Sequence, residues 1–180
     1  HADCSIAFAE NREQAIKMLS YEQNKLKTII LYDDDFSPEE KAEYQKTVDI
    51  LTFDELYASG EKLYAQNPEL FDKEVDIGNE EELATIIYTS GTTGEPKGVI
   101  LIHKNFLFQL DRIYEHLHIN PGHIFLSVLP VWHSFERTVE YIVLNKAAAI
   151  AYSKPIGKIL LADIIKTNPH WLVLVPRIWE

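Results

Sequence analysis

The chain has 180 residues, 46% hydrophobic and 25% charged, an ordinary globular balance with enough length for one domain and a real core. Cys4 is the only cysteine, which excludes an internal disulfide, and no apolar run approaches the roughly 18 residues of a membrane span. The formal net charge is -11, without the clustered Lys and Arg of a nucleic-acid groove, so no nucleic-acid partner is expected.

The first part of the chain alternates short strands and capped helices. Cys4 to Ala9 reads as a strand, with Cys4 expected as a small buried hydrophobe. Asn11 then opens a helix as its cap, with Gln14 three residues on. Lys27 to Tyr32 is a second strand. Asp33, Asp34 and Asp35 read as a solvated turn rather than a metal cluster, since adjacent acids point in different directions. Ser37-Pro38-Glu39-Glu40 is a helix opening, with cap, proline and acids in the favoured places. Asp49 to Leu51 predicts a short strand, and Thr52-Phe53-Asp54-Glu55 a capping box. The helix that follows places Phe53, Leu56, Tyr57, Gly60, Leu63 and Tyr64 on one face. Gln66 to Glu82, polar and carrying Pro68 and Gly78, reads as a surface connection rather than a domain boundary.

Next comes the stretch Tyr88-Thr89-Ser90-Gly91-Thr92-Thr93-Gly94-Glu95-Pro96-Lys97-Gly98-Val99, set between strand-like runs Leu83 to Ile87 and Val99 to Ile102. Gly91, Gly94 and Gly98 allow positive φ and close backbone approach. Successive amides in such a bend can form an anion nest. Ser90, Thr92 and Thr93 bring hydroxyls for phosphate oxygens or for a metal on them, and Lys97 a mobile positive charge. The stretch reads as a loop for the polyphosphate of a nucleotide. It is not the usual P-loop: Pro96 breaks the glycine spacing, and a strand rather than a helix follows. The acidic excess avoids this part of the chain. Residues His1 to Glu82 hold 8 basic and 21 acidic residues, and Leu83 to Glu180 hold 9 and 7, as an anionic ligand requires.

Beyond the loop, Lys104 to His118 predicts an amphipathic helix buried through Phe106, Leu110, Ile113 and Leu117, with His116 and His118 as helix-end cations. Asn120-Pro121-Gly122 is a turn, and His123 to Leu129 a strand. A helix reaches about Asn145, Ala147 to Tyr152 is a strand, and Ile159 to Ile165 a short helix closed by Asn168-Pro169. Trp171 to Val175 is a last strand, and Pro176 begins another helix. The alternation predicts an α/β fold, an open, mostly parallel Rossmann-like sheet with ligands beyond the carboxyl ends of its strands.

The run from Tyr88 to Val99 resembles the signature of the adenylate-forming superfamily: acyl-CoA synthetases, peptide-synthetase adenylation domains and luciferases. His103-Lys104-Asn105-Phe106 resembles its continuation, with Ile102 where the family usually has threonine. Pro130-Val131-Trp132-His133-Ser134-Phe135-Glu136-Arg137 resembles the next core motif, and its form, like the ending Val175-Pro176-Arg177-Ile178-Trp179-Glu180, is most similar to long-chain fatty acyl-CoA synthetases. The resemblance implies activation of a fatty acid by MgATP to an acyl-adenylate, with CoA as the thiol cosubstrate. It implies Lys97 and His133 as catalytic residues, and Thr89, Ser90, Gly91, Thr92, Thr93, Gly94, Lys97 and Gly98 as the ATP-binding set, with Thr92 a magnesium contact through the phosphates. His133 would lie by the acyl and adenylate groups, and Trp132 and Phe135 could line an acyl tunnel. Some fatty-acid enzymes have an aromatic gate shortly after this histidine, where Arg137 stands here. Glu136 and Arg137 are expected to pair with each other or to cap structure.

The chain opens at His1, and its only methionine is Met18. With the resemblance, residues 1–180 read as a single α/β unit, an excised part of a larger AMP-binding domain. The adenine, ribose and lid-domain motifs are expected beyond Glu180, so the piece alone should not adenylate. Cytoplasmic localisation is expected, with a fatty substrate compatible with peripheral contact at the inner face of a membrane. Two alternatives remain: an adenylation domain loading a carrier protein with another carboxylic acid, and a non-catalytic nucleotide-binding module.

Overall fold

Three helix starts are fixed by the side chains that the sequence singles out. The Asn11 side chain accepts the Gln14 amide at the head of α1 (Arg12–Leu19). Ser37 accepts the Glu40 amide at the head of α2 (Pro38–Tyr44), with Pro38 in its first turn. Thr52 and Glu55 form both halves of a capping box at the head of α3 (Phe53–Gln66). Each cap satisfies amides that no helical carbonyl can reach. The structure is a computed structural model, and it describes residues 3–21, 24–90, 94–113 and 116–179.

The chain folds as two units, His1–Gly78 and Asn79–Glu180, so the division falls inside the polar segment between residues 66 and 82. In the first unit, β1 (Ile6–Ala9), β2 (Thr28–Leu31) and β3 (Asp49–Thr52) form a parallel sheet in the order β1-β2-β3. Ile29 stands between Ala7 and Ile50 in the register. Ala9, Ala15, Ile29, Leu31, Val48 and Ile50 make its core. Burying a side chain such as Ile29 is worth about 1.5–3 kcal/mol.

Two expectations for this unit are corrected. Cys4 is exposed, because it precedes an edge strand whose Ile6 and Phe8 are themselves uncovered. The segment after Gln66 is not all connection: residues Leu70–Ile77 form α4. The face of α3 that carries Phe53, Tyr57, Leu63 and Tyr64 is exposed, and no residue of that helix is buried. The acidic turn instead serves the helices: Asp35 accepts the Arg12 amide at 2.7 Å, and Asp34 pairs with Lys41.

The second unit opens with a hairpin. β4 (Leu83–Thr89) and β5 (Lys97–Ile102) pair antiparallel, since residues 90–96 are too few for the crossover that a parallel pair needs. α5 (His103–Ile113) follows at once. Its start lacks a threonine cap, and other groups supply one. The Asn105 side chain accepts the Ile102 amide at 2.9 Å, and the His103 and Lys104 amides donate to the Glu82 and Glu80 carbonyls. His116 lies in a turn and His118 in the segment after it, so neither is part of α5 as described.

A second parallel sheet completes the unit, built from β6 (Ile124–Ser127), β7 (Ala149–Tyr152) and β8 (Trp171–Leu172) in the order β7-β6-β8. α6 (Ser134–Asn145) connects β6 to β7, α7 (Gly157–Thr167) connects β7 to β8, and α8 (Pro176–Trp179) follows. Asn168 closes α7 in the left-handed region at φ 44°. Phe125, Ile142 and Val143 pack with Ile119 on one side of this sheet, and Leu126, Val128 and Leu160 on the other. The fold is therefore α/β with parallel sheets, as expected, interrupted by one antiparallel hairpin.

Candidate functional site

Cross-strand partners share a face of a sheet. In the hairpin, Thr85 faces Leu101, Ile87 faces Val99 and Thr89 faces Lys97, so Thr85, Thr89 and Lys97 lie on one face. Lys97 is exposed, and its ammonium has no partner among the described residues. Thr89 and Ser90 are exposed as well, with the Thr89 hydroxyl 3.5 Å from the Lys97 carbonyl. Gly94 sits at φ 87°, a conformation that side chains rarely adopt, so one of the three glycines does turn the bend. Gly98 serves a different need. It lies within β5, and a Cβ there would fall 2.8 Å from Cγ2 of Ile86 and 3.3 Å from the Tyr88 ring. Gly91, Thr92 and Thr93, and with Thr92 the proposed magnesium contact, lie outside the described residues. Among the described residues, no group of three or more His, Cys, Asp and Glu could hold a metal ion.

The second candidate region grows from the sheet order. The β6-to-β7 connection runs to one side of β6, and the chain then crosses to β8 on the other. In such a sheet the crevice for a ligand opens beyond the carboxyl ends of the strands where the direction reverses. Both segments that follow β6 and β8, residues 128–133 and 173–175, leave from that edge.

His133 ends the first of these segments and is the N-cap of α6. Its Nδ1 accepts the Phe135 amide at 3.3 Å, which leaves the ring proton on Nε2. The residue is exposed, so it is no core histidine. Trp132 is 70% exposed and Phe135 46%, and neither is spent on the core.

Glu136 and Arg137 do not pair with each other. Successive helix positions point about 100° apart, and the two side chains reach different sheets. Glu136 is only 1% exposed and takes the Ser127 hydroxyl at the end of β6. Its other oxygen, Oε2, is buried without a partner, as is Oε1 of Glu140 one turn on. Burial pushes the Glu136 carboxyl up from its ordinary range; the Ser127 bond opposes this, and Glu140 adds to it. Arg137 Nη1 donates to Thr85 Oγ1 of β4 at 2.8 Å. Sequence reasoning missed Ser127 and Thr85. Ser127 carried a signal, as a polar residue ending an apolar strand; Thr85 carried none.

The hairpin presents a lysine unpaired among the described residues, and an exposed histidine caps the helix that follows a reversing strand. A model of the AMP-binding enzyme family matches residues 1–180. The chain belongs to this family. Among its relatives is fatty acyl-CoA synthetase A of Dictyostelium discoideum, 32% identical over 183 residues, covering 100% of this chain and 26% of that protein. The chloroplastic long-chain-fatty-acid–[acyl-carrier-protein] ligase AEE15 of Arabidopsis thaliana is 38% identical over 100 residues, covering 56% of this chain and 14% of that protein. The chain thus spans about a quarter or less of the length of these curated relatives. Among solved structures, the Bacillus subtilis o-succinylbenzoate coenzyme A synthetase in complex with ATP and magnesium superposes with a TM-score of 0.60 at 18% identity, over 98% of this chain and 40% of that one. The likeness shows the fold of an adenylate-forming enzyme's N-terminal domain.

Proposed function

We propose that the full-length protein is an ATP-dependent ligase that activates a long-chain fatty acid and passes the acyl group to the thiol of CoA. The observation that carries this reading is the Lys97 ammonium, unpartnered among the described residues, opposite Thr89 in the strand ladder and close in sequence to the exposed Ser90, in an AMP-binding chain. An unengaged ammonium fits a polyphosphate, which needs a cation not already committed elsewhere, and the Thr89 hydroxyl is held only by a long 3.5 Å bond to the Lys97 carbonyl.

In the first half-reaction a carboxylate oxygen attacks the α-phosphorus of ATP. The bond from that phosphorus to the bridging oxygen breaks, and pyrophosphate leaves with the electron pair. Lys97, Thr89 and Ser90 would hold the β- and γ-phosphates and neutralise the charge that grows on them. Magnesium on the phosphates would share that neutralisation. His133, with its proton held on Nε2, would donate to the carboxylate or to the adenylate and orient it in line. In the second half-reaction the thiol sulfur attacks the acyl carbon, AMP leaves, and the thiol proton passes to solvent. Trp132 and Phe135 would contact the alkyl chain.

Palmitate-dependent exchange of pyrophosphate into ATP, followed by formation of a CoA thioester, tests the reading. Activity with benzoate or amino acids alone would break the fatty-acid assignment, and ATP binding without turnover would favour a nucleotide-binding module. The carrier-protein ligase among the relatives favours one further arm, in which acyl-carrier protein replaces CoA as the acceptor. As for membranes, no helix among the described residues is long and apolar enough to cross one. Contact at a membrane surface belongs to the proposal only through the substrate.

A further inference from the structure

α6 begins with a cation in an awkward place. Arg137 lies in the first helical turn, at the positive end of the helix dipole, where acids are favoured and basic side chains are not. Its half-buried guanidinium has one partner among the described residues, the neutral hydroxyl of Thr85, 52 positions earlier in the chain. Helix stability does not explain a cation here, and neither does an ion pair. The bond does join two elements that matter. One is the helix whose N-cap is His133. The other is β4, which runs four residues, about 13 Å, from Thr85 to Thr89 at the phosphate bend. Thr85 shares a face with Thr89 and Lys97, so Arg137 grips the face that presents the lysine. On its other side the same helical turn is anchored by Glu136 to Ser127 at the end of β6.

We propose that Arg137 is a positioning residue: through Thr85 it sets the His133 end of α6 against the hairpin that holds the polyphosphate, and so aligns the carboxylate with the α-phosphorus. This rests on the ligase reading above. In-line attack is sensitive to distance, and a displacement of about 1 Å at a remote support can cost about 100-fold.

The test is a double-mutant cycle in the full-length protein, followed by palmitate-dependent ATP–pyrophosphate exchange. Arg137→Ala should lower kcat for exchange about 100-fold and change KM for ATP less than about 3-fold, since the phosphate contacts themselves survive. Thr85→Val keeps the shape and removes the acceptor, and should cost about 10-fold with an unchanged melting temperature. Arg137→Lys should fall between wild type and Arg137→Ala. The double variant should be no slower than Arg137→Ala, because both changes remove one bond. Losses that multiply to about 1000-fold, or a Thr85→Val enzyme within about 2-fold of wild type, would overturn the proposal. If Arg137→Ala fails to fold, Thr85→Val and Arg137→Lys still decide it. A wild-type protein without palmitate-dependent exchange would instead bring down the ligase reading, and the alignment role with it.

Discussion

The two units of this chain use the same strand-helix grammar, and the candidate site grows from only one of them. In residues 1–78 the strands follow one another in space as they do in sequence, β1-β2-β3, and every crossover steps the same way. No edge of that sheet diverges to open a crevice. In residues 79–180 the order is β7-β6-β8, and the reversal opens the carboxyl edge from which the His133 segment leaves. The charges differ in the same sense: 8 basic against 18 acidic residues in the first unit, 9 against 10 in the second. A parallel sheet is not a site in itself; a change of direction along it opens the crevice in which a ligand can sit.

The comparison can be broken at several points. The largest effect is expected at Lys97. Lys97→Ala in the full-length protein should slow adenylation about 100- to 1000-fold and thioester formation far less, read by assaying the two half-reactions separately. Equal losses would remove the lysine from the phosphate role. His133→Asn comes next: asparagine is a good helix cap, so stability should hold while exchange falls about 100-fold. A variant that keeps activity would make His133 a cap and nothing more.

Smaller effects concern stability. Gly98→Ala drives a Cβ against Ile86 and should cost about 1–3 kcal/mol by denaturant titration. Glu136→Gln removes a buried charge whose carboxyl is held above its ordinary range. The folded state binds that proton more tightly than the unfolded chain, so the wild-type contribution is intact at low pH and is lost as pH rises through the raised value. The variant should therefore be more stable by about 1 kcal/mol at neutral pH, with the gain vanishing in the ordinary carboxylate range. The smallest effect belongs to the first unit. Arg12→Ala breaks a part-exposed pair with Glu40 and should barely move the denaturation midpoint and leave activity unchanged.

Most of the frame was legible because its signals are local. The caps at Asn11, Ser37 and Thr52 bond three residues ahead, within the reach of sequence patterns. α4 was hidden because it has no side-chain cap to announce it. The hairpin could have been read as antiparallel from its short loop. In the candidate site, motif residues stood out, but their supports did not. Glu136 and Arg137 look like a neighbouring ion pair in sequence, and only folding sends one to Ser127 and the other to Thr85. Exposure was equally silent: an aromatic such as Trp132 reads the same whether packed away or left open.

The open end of the hairpin is tied off. The chain entering it at Glu80 and Glu82 is fastened to the chain leaving it by the amides of His103 and Lys104, and the Lys104 ammonium adds pairs with Glu80 and Glu81. Strand register is thus held from the stem as well as by the ladder itself. A clasp of this kind keeps the two legs in step from the far end, so a change of length at the bend need not unzip the ladder beneath it.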